Sequence, residues 1–449
     1  MKKYFLLFLF CLLSCLSKSQ TLSKEAIHLT QALNASWNSG DVGKAVPISL
    51  ELFRISPESF VNTVHVSFAK KIDNPKAGLS ALSYLKALMS QQHEGINRIV
   101  APIYNWGRIK YSKDKSIILE NFEDLKGLLA DNPSYRTNRV ERYCLFSLKE
   151  LNGSWAVSLD DQQALLRQVV EKLESRYAEL ESISEEEGPF EERSWTRYLL
   201  AYSYHSLYKQ VEANPEFLEK ASFYSSDQND ILHSEGFVYD ADILTRKTSS
   251  FEFKIAYFSY LQENKRYEEA LDEMTSIAFL HPSDDNVGML RSYYDKHSKA
   301  GMSFQDYWQA YIHEKGEPVP KISLRFSKYD HLDLKSKPGV WVYMDFWGTW
   351  CPPCVKELPE LQQFYMENIR RGGVPQLKVY TLSFMSKNLS GFMKDHDYTF
   401  PVVEVERNVT NDFNVSSFPS KILISPEGNY IRIPHGVDWQ TYVKNYTLM

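Results

Sequence analysis

Two cysteines separated by two prolines, Cys351-Pro352-Pro353-Cys354, are the residues whose types and spacing point most directly to chemistry. They follow a short apolar segment and open a stretch with helical spacing, so we expect Cys351 at the first turn of a helix. Unpaired backbone N–H groups and the positive end of the helix dipole favour a thiolate at that position. Cys354 lies one turn further along, where the two sulfurs can form a disulfide. The motif therefore predicts dithiol–disulfide exchange, in which one sulfur attacks a substrate disulfide and the other resolves the mixed disulfide.

A cysteine pair with this spacing has two alternative uses besides exchange chemistry. A zinc site needs four ligands, and after residue 19 the chain offers only Cys144 besides the pair, with no paired histidines. A structural disulfide is the second alternative, although a tight four-residue loop at a helix start is an unusual place for one. The sequence predicts no metal site and no dissociable cofactor.

The last third of the chain must supply the elements that position the pair. A β-branched and aromatic segment, Val340–Phe346, is apolar on both faces and predicts a strand buried on both sides. The further predicted elements are a helix over 353–371, a strand over 377–384, a helix over 389–396, strands over 421–424 and 430–433 joined by a turn, and a helix over 438–446. This order predicts one mixed sheet with helices on both faces, an α/β fold.

The longer part of the chain before that segment is predicted to be helical. Apolar residues recur at spacings of three and four in windows at 118–130, 138–151, 161–182, 194–213, 251–263 and 267–280. The window 251–282 weakly resembles one tetratricopeptide unit, with Ala270 and Pro282 at the repeat's small and terminating positions. An acidic stretch at 185–193 is either a hinge between two helical blocks or an ordinary solvated loop. The predicted fold class is an all-α, repeat-like domain followed by an α/β domain.

The N-terminus has the features of an export signal. Two lysines precede an apolar run, Tyr4–Leu13, which is too short to span a bilayer core of about 30 Å. Cleavage before Gln20 fits an ordinary signal peptidase, whereas Leu12–Cys15 resembles a lipobox that would make Cys15 a lipidated first residue. A retained anchor helix is the third alternative. In each case the remaining chain is expected outside the cytoplasm, where disulfides matter.

The composition is that of a mildly acidic globular protein. Of 449 residues 43% are hydrophobic, and 51 basic against 57 acidic side chains give a net charge of -6. Such a chain, without basic blocks, is not expected to bind nucleic acid. Five cysteines are too few for a disulfide scaffold. The predicted domains are a signal peptide at 1–19, an all-helical domain at 20–318 and an α/β domain at 319–449.

The residues around the cysteine pair carry a family resemblance. Phe346–Cys354 reads Phe-Trp-Gly-Thr-Trp-Cys-Pro-Pro-Cys and, with Lys356–Pro359, resembles the active site of thioredoxin-fold reductases of the TlpA/ResA type. Later landmarks of that family follow in the same order at 400–403, 415–419 and 424–428. The resemblance covers about residues 320–449, and it implies a thioredoxin-like fold there and nothing about the helical part.

The resemblance also implies roles for individual residues. Cys351 matches the attacking thiol and Cys354 the resolving thiol. Pro419 matches the cis-proline that packs against the pair and lines the substrate groove, with an ordinary loop proline as the alternative. Phe418 would offer backbone groups to an extended substrate segment, and Trp350 would border the attacking sulfur or simply pack there.

Asp345 lies six residues before Cys351, where thioredoxin itself carries a buried acid. A desolvated carboxylate has a raised pKa and can take the proton from Cys354. The alternative is a strand-end aspartate paired with a nearby lysine. Many reductases of the ResA type carry a further acid after the next strand, but residues 382–385 hold none, so a specific role in cytochrome c maturation does not follow.

These features predict a thiol–disulfide oxidoreductase of the periplasm or cell envelope that reduces disulfide-containing protein substrates. Because an oxidising envelope would not keep the pair reduced, a membrane electron donor that supplies thiol reductant is expected. The alternatives are a disulfide oxidant or isomerase, and a helical binding or scaffold protein with an accessory redox domain. A partner protein on the helical domain fits any of these. Cys144, in an apolar helical stretch, is predicted to be a buried small hydrophobe.

Overall fold

The computed structural model describes residues 24–131, 139–183, 190–210, 213–227, 238–247, 251–298, 301–370 and 377–449. The chain divides into two compact units, one of Met1–Ser225 with Gly236–Ser250 and the other of Ser226–Glu235 with Phe251–Met449. The predicted signal peptide with Cys15, and most of the candidate hinge at 185–193, lie outside the described residues and stay predictions.

The described part of the first unit is helical, as the apolar spacing predicts. Its α-helices are α1 (Lys24–Asn38), α2 (Val42–Ile55), α3 (Pro57–Thr63), α4 (Ala69–Asp73), α5 (Gly78–Met89), α6 (Glu94–Tyr111), α7 (Lys115–Ala130), α8 (Val140–Leu151), α9 (Leu159–Glu181), α10 (Phe190–Gln210), α11 (Pro215–Tyr224) and α12 (Val238–Thr245). A one-turn π-helix, Val64–Phe68, joins α3 to α4. Several helices begin where a side-chain oxygen accepts an otherwise unpaired N–H, as Asp41, Ser158 and Asn214 do.

Helix α8 packs against four other helices of this unit, α6, α7, α9 and α12. Nearly all of its residues are buried, including Cys144, whose thiol has its pKa raised well above the usual range by burial. Arg142 on the same helix pairs with Asp240 on α12 at 2.5 Å, with both side chains 1% exposed. Among the helices that the structure describes, none is long and apolar enough to cross a membrane.

The second unit starts with four helices, α13 (Phe251–Glu263), α14 (Tyr267–Leu280), α15 (Asp284–His297) and α16 (Phe304–Lys315). Helices α13 and α14 occupy the tetratricopeptide-like window. Ala270 is fully buried on α14, and the helix ends directly before His281-Pro282. The helices are as predicted; the assignment to that repeat family stays a prediction.

A six-stranded mixed sheet follows these helices. Its order is β1 (Glu317–Pro318), β8 (Asn429–Ile433), β7 (Ser420–Ile424), β4 (Trp341–Trp347), β5 (Leu377–Phe384) and β6 (Val402–Val405), with a separate hairpin of β2 (Ser323–Arg325) and β3 (His331–Asp333). The helices are α17 (Pro352–Arg370), α18 (Leu389–Asp395), α19 (Arg407–Asp412) and α20 (Trp439–Thr447). Strand β4 is central, parallel to β5 and antiparallel to β7. Every residue of β4 is buried, which explains why its sequence is apolar on both faces.

Within the second unit, helices α14 to α16 pack against the sheet edge and α20. The indole of Trp308 on α16 donates to the carbonyl of Asn445 at 3.0 Å, and the hydroxyl of Tyr446 donates to that of Phe279 at 2.7 Å. Asn429 on β8 donates to the carbonyl of His313 at 2.8 Å. The boundary predicted at residue 319 lies at the change from helices to a mixed sheet. The two compact units divide earlier in the chain, at residues 225–251. The predicted domain boundary therefore stays a prediction.

Candidate active site at the start of helix α17

The cysteine pair lies at the junction between the central strand and helix α17. Cys351 directly precedes the helix, and its carbonyl accepts the N–H of Val355 at 3.0 Å, which makes it the N-cap residue. Cys351 and Cys354 are joined by a disulfide with their Cα atoms 5.3 Å apart. The Cys351 sulfur also accepts the backbone N–H of Cys354 at 3.3 Å. The predicted placement at the positive end of a helix is therefore observed.

The predicted groove residues Trp350 and Phe418 contact each other, and Trp350 directly precedes Cys351 in the chain. The peptide bond between Phe418 and Pro419 is cis, and strand β7 begins one residue later. The ring of Trp350 meets the ring of Phe418 edge-on at 5.5 Å, and the indole N–H donates to the carbonyl of Phe384 at 2.8 Å. The ring of Phe384 stacks on Phe418 at 5.4 Å. Trp350 is 51% exposed, so an aromatic surface borders the sulfurs.

A glycine permits the position of Trp350. A Cβ added at Gly348 would lie 2.5 Å from the indole nitrogen of Trp350 and 2.8 Å from the carbonyl oxygen of Phe384. Any larger residue would have to displace the hydrogen bond that holds the indole. The sequence places Gly348 in the cysteine motif and Phe384 at the end of a predicted strand. Neither residue type indicates by itself that the two contact the same indole ring.

Asp345 on β4 is 2% exposed and lies directly opposite Lys421 on β7. The Lys421 Nζ atom is 3.7 Å from Asp345 Oδ2 and 2.6 Å from Glu357 Oε2 on α17. Burial raises the pKa of Asp345 to about 6, against the lowering effect of Lys421, while Glu357 raises it slightly further. The other carboxylate oxygen, Oδ1, is buried without a hydrogen-bond partner in the described structure.

Both interpretations of Asp345 thus have support: it is a buried acid with a raised pKa, and it faces a lysine. Lys421 and Glu357 were not predicted as site residues. The sequence does contain one indication of this contact. Lys421 begins the apolar segment Lys421–Ile424, and a lysine is rarely buried without an acidic partner.

The described residues contain no group of three or more His, Cys, Asp or Glu side chains arranged to hold a metal ion. No prediction about Cys351, Cys354, Asp345, Trp350 or the cis-proline loop conflicts with the observed geometry, and their roles stay proposals.

Comparison with known proteins agrees with this geometry. The model of the AhpC/TSA family matches residues 315–432. The thiol-disulfide oxidoreductase ResA of Bacillus subtilis (strain 168) is 29% identical over 133 residues, which cover 29% of this chain and 73% of that protein. The thioredoxin-like protein YneN of the same organism is 26% identical over 115 residues, covering 26% and 68%.

Two solved structures match part of this chain. A thiol:disulfide interchange protein of the thioredoxin family from Chlorobium tepidum TLS matches at a TM-score of 0.24 and 21% identity, covering 29% of this chain and 97% of that one. The thioredoxin domain of a thiol-disulfide oxidoreductase from Bacteroides vulgatus matches at 0.26 and 23%, covering 29% and 96%.

The C-terminal part of this chain contains a thioredoxin-like domain that matches the AhpC/TSA family, and the ResA relatives are named thiol-disulfide oxidoreductases. The family match begins at residue 315, so the preceding helices lie outside it.

Proposed function

We propose that this protein is an exported thiol–disulfide oxidoreductase that reduces disulfides in other proteins through Cys351 and Cys354. The observation that carries the proposal is the pair's position at the N-terminus of α17, in a thioredoxin-like domain whose cis-proline loop contacts Trp350, the residue before Cys351, through the ring of Phe418. A helix N-terminus stabilises a thiolate, and a thiolate is the nucleophile in disulfide exchange.

The reaction balances with the two sulfurs alone. In the reduced protein the Cys351 thiolate attacks one sulfur of a substrate cystine; the substrate S–S bond breaks, and a mixed disulfide forms as one substrate thiolate leaves. Cys354 then loses its proton and attacks Cys351, which releases the second substrate thiolate. The Cys351–Cys354 disulfide seen in the structure is the product state, and two electrons have moved to the substrate.

Asp345 is the proposed proton acceptor for the second step. Its carboxylate is buried on the strand that leads into the active-site turn, and a pKa of about 6 leaves it mostly ionised at neutral pH but basic enough to accept a proton. Phe418 and Pro419 offer the edge along which an extended substrate segment would lie, and the exposed ring of Trp350 would cover its apolar side chains.

The cellular setting follows from the predicted leader and from the direction of electron flow. We propose export to the periplasm or cell envelope, with lipid anchoring through Cys15 as one form. A membrane thiol donor would return Cys351 and Cys354 to the reduced state, because an oxidising compartment does not. The helical region would present substrates or bind a partner protein.

The test is turnover of insulin by the purified chain with freshly reduced cysteines. The wild type and the Cys144→Ser control should reduce insulin equally, because Cys144 is fully buried. Cys354→Ser should accumulate substrates as mixed disulfides on Cys351, whereas Cys351→Ser should trap none. Absence of turnover by a protein whose two thiols are reduced and titratable would refute the proposal.

Two further measurements separate the alternatives. A redox potential of the pair near that of strong oxidants, about -120 mV, would indicate an oxidant and overturn the reductase direction. A scaffold role would survive replacement of both Cys351 and Cys354 by serine, so a phenotype that this double variant rescues would argue that the redox domain is accessory.

A further inference from the structure

The first unit contains a cavity that the thiol chemistry does not use. Its volume is about 380 Å³, within the range of about 300–1,000 Å³ that is typical of small-molecule sites. It lies between the end of α1, the start of α2, the π-helix, α4 and the start of α5. Two lysines and no acidic residue are among the residues that line it, all of them in the described part of the chain.

One of these lysines, Lys71 on α4, is half-buried in the cavity wall. Its Nζ donates to Asn38 Oδ1 at 3.0 Å and lies 5.1 Å from the centre of the Trp37 ring. Burial lowers the pKa of this ammonium group, and no carboxylate among the described residues offsets the effect. Asp41, at the start of α2, pairs instead with Lys44 at 3.1 Å. Because a partly desolvated cation is costly without an anion, a negatively charged ligand would stabilise this wall.

Further donors surround the same cavity. Lys76, the second lysine, is exposed on the loop before α5, and no side chain caps the start of that helix. The N-cap residue Ala77 and Ser80 in the first turn both line the cavity. The indole N–H of Trp37, in the wall, is buried and has no acceptor among the described residues. An uncapped helix N-terminus favours an anion, so these donors and the two ammonium groups all favour a ligand of the same charge.

The remaining wall is aromatic. Trp37 is 9% exposed, and its ring lies edge-on to Tyr84 with the ring centres 5.1 Å apart. Phe68 stacks on Tyr84 at 4.9 Å, and all three rings line the cavity. Phe68 is the last residue of the π-helix, and single π-turns of this kind occur frequently at functional sites. The wall therefore suits a flat apolar group next to the positively charged side.

We propose that this cavity binds a small organic anion, whose carboxylate or phosphate group pairs with Lys71 and Lys76 at the start of α5 while its apolar part lies against Trp37 and Phe68. The proposal goes beyond the thiol chemistry and does not depend on it, because every residue of the cavity belongs to the first unit. It gives the helical region a ligand of its own.

The test is isothermal titration calorimetry of the full chain with phenylacetate and with phenyl phosphate. The two probes share a ring and differ in the anion, so their relative affinities identify which charged group the cavity takes. We expect at least one of them to bind as a single molecule per chain. Their neutral analogues, phenylacetamide and phenol, should bind at least about tenfold more weakly, because they lack the charge that pairs with the ammonium groups.

Matched variants locate the binding. Lys71→Met should weaken it about tenfold to a hundredfold, whereas Lys71→Arg keeps the charge and should largely retain it. Lys86→Met, an exposed substitution near the other end of α5, is the control and should bind as the wild type does. Ser80→Phe should fill the cavity and abolish binding, while Ser83→Phe, also exposed on α5 but outside the lining, should not.

A ¹H–¹⁵N NMR spectrum adds a readout at the site itself. The indole N–H resonance of Trp37, assigned by its loss in Trp37→Phe, should shift when the probe binds. No saturable binding of either probe up to about 10 mM would overturn the proposal. Equal binding of the neutral analogues, or binding that both Lys71→Met and Ser80→Phe leave unchanged, would also overturn it. Insulin reduction by these variants should match the wild type, so failure of this inference leaves the proposed function standing.

Discussion

Replacing Asp345 with asparagine is expected to stabilise the fold while it slows the chemistry. The carboxyl has an ordinary pKa of 3.8 and a folded-state pKa of about 6. That difference means that ionised Asp345 destabilises the folded state by about 3 kcal/mol, since one unit corresponds to about 1.4 kcal/mol. Asparagine cannot ionise, and Lys421 keeps Glu357 at 2.6 Å as its partner in the variant.

The sign of the pH dependence follows from proton binding. Between about pH 4 and about pH 6 the folded state holds this proton and the unfolded chain does not, so stability falls as the pH rises through that window. The variant should match the wild type at about pH 4 and exceed it by about 3 kcal/mol above pH 6 to 7. For a unit of this size, each kcal/mol corresponds to about 2–4 °C in Tm.

Calorimetry of the full chain at about pH 4 and about pH 8 measures this difference. Asp412→Asn, an exposed substitution on α19, is the matched control and should change the Tm little at either pH. The same Asp345→Asn protein should resolve mixed disulfides about a hundredfold more slowly, because it lacks the general base. A variant less stable than the wild type at pH 8, or one whose resolving step is unchanged, would refute the reasoning.

Three further substitutions or truncations test other parts of the structure. Gly348→Ala should displace the indole of Trp350 and lower kcat/KM for protein disulfides about tenfold, read together with a change in tryptophan fluorescence. A fragment 319–449 should melt well below the full chain's second unit or precipitate, since it lacks the buried contacts of α14 and α16; thermal denaturation measures this. Asp240→Asn should destabilise the first unit by about 3–5 kcal/mol because it breaks the buried ion pair with Arg142, yet leave the insulin reduction rate of the folded protein unchanged.

The junction of strand and helix at the cysteine pair could be predicted because each of its signals is local. Strand β4 is buried on both faces, so its sequence is continuously apolar, and the prolines at 352 and 353 suit the first turn of a helix. The long helices have amphipathic spacing over three or more turns. Their predicted ends differ from the observed ones by only a few residues, for example 161–182 against Leu159–Glu181.

The short strands could not be predicted, because pairing rather than pattern determines them. Strand β1 has two residues and forms only where Glu317 meets Tyr430 on β8. The hydroxyl of Tyr430 donates to the Glu317 carboxylate at 2.7 Å, and Arg432 binds the same carboxylate. Strands β2, β3 and β6 have three or four residues each, fewer than an alternating pattern needs to be recognised.

The contacts of Lys421 could not be predicted from the sequence for a different reason. Glu357 lies 64 residues before it in the chain, and nothing local to either residue indicates the other. The same holds for Asn445 on α20. Its amide donates to the carbonyl of Pro282 and to Asp284, and these contacts with the start of α15 cannot be predicted from the local sequence. Such contacts determine the compact units, and so the units do not follow the change in secondary structure at residue 319.

Two neighbouring strands of the sheet, β4 and β7, each contain one charged residue, although buried strands are otherwise apolar. Strand β4 is buried throughout, and Asp345 is the only charged residue in it. Lys421 is the only charged residue of strand β7, and it lies directly opposite Asp345. Apolar residues at both positions would pack at least as well, since buried ion pairs seldom add net stability. Lys421 of this pair contacts Glu357 on the active-site helix, one turn beyond Cys354. A buried pair of opposite charges next to the active-site helix fits the proposed role of Asp345 in proton transfer, because departures from local rules concentrate at functional sites.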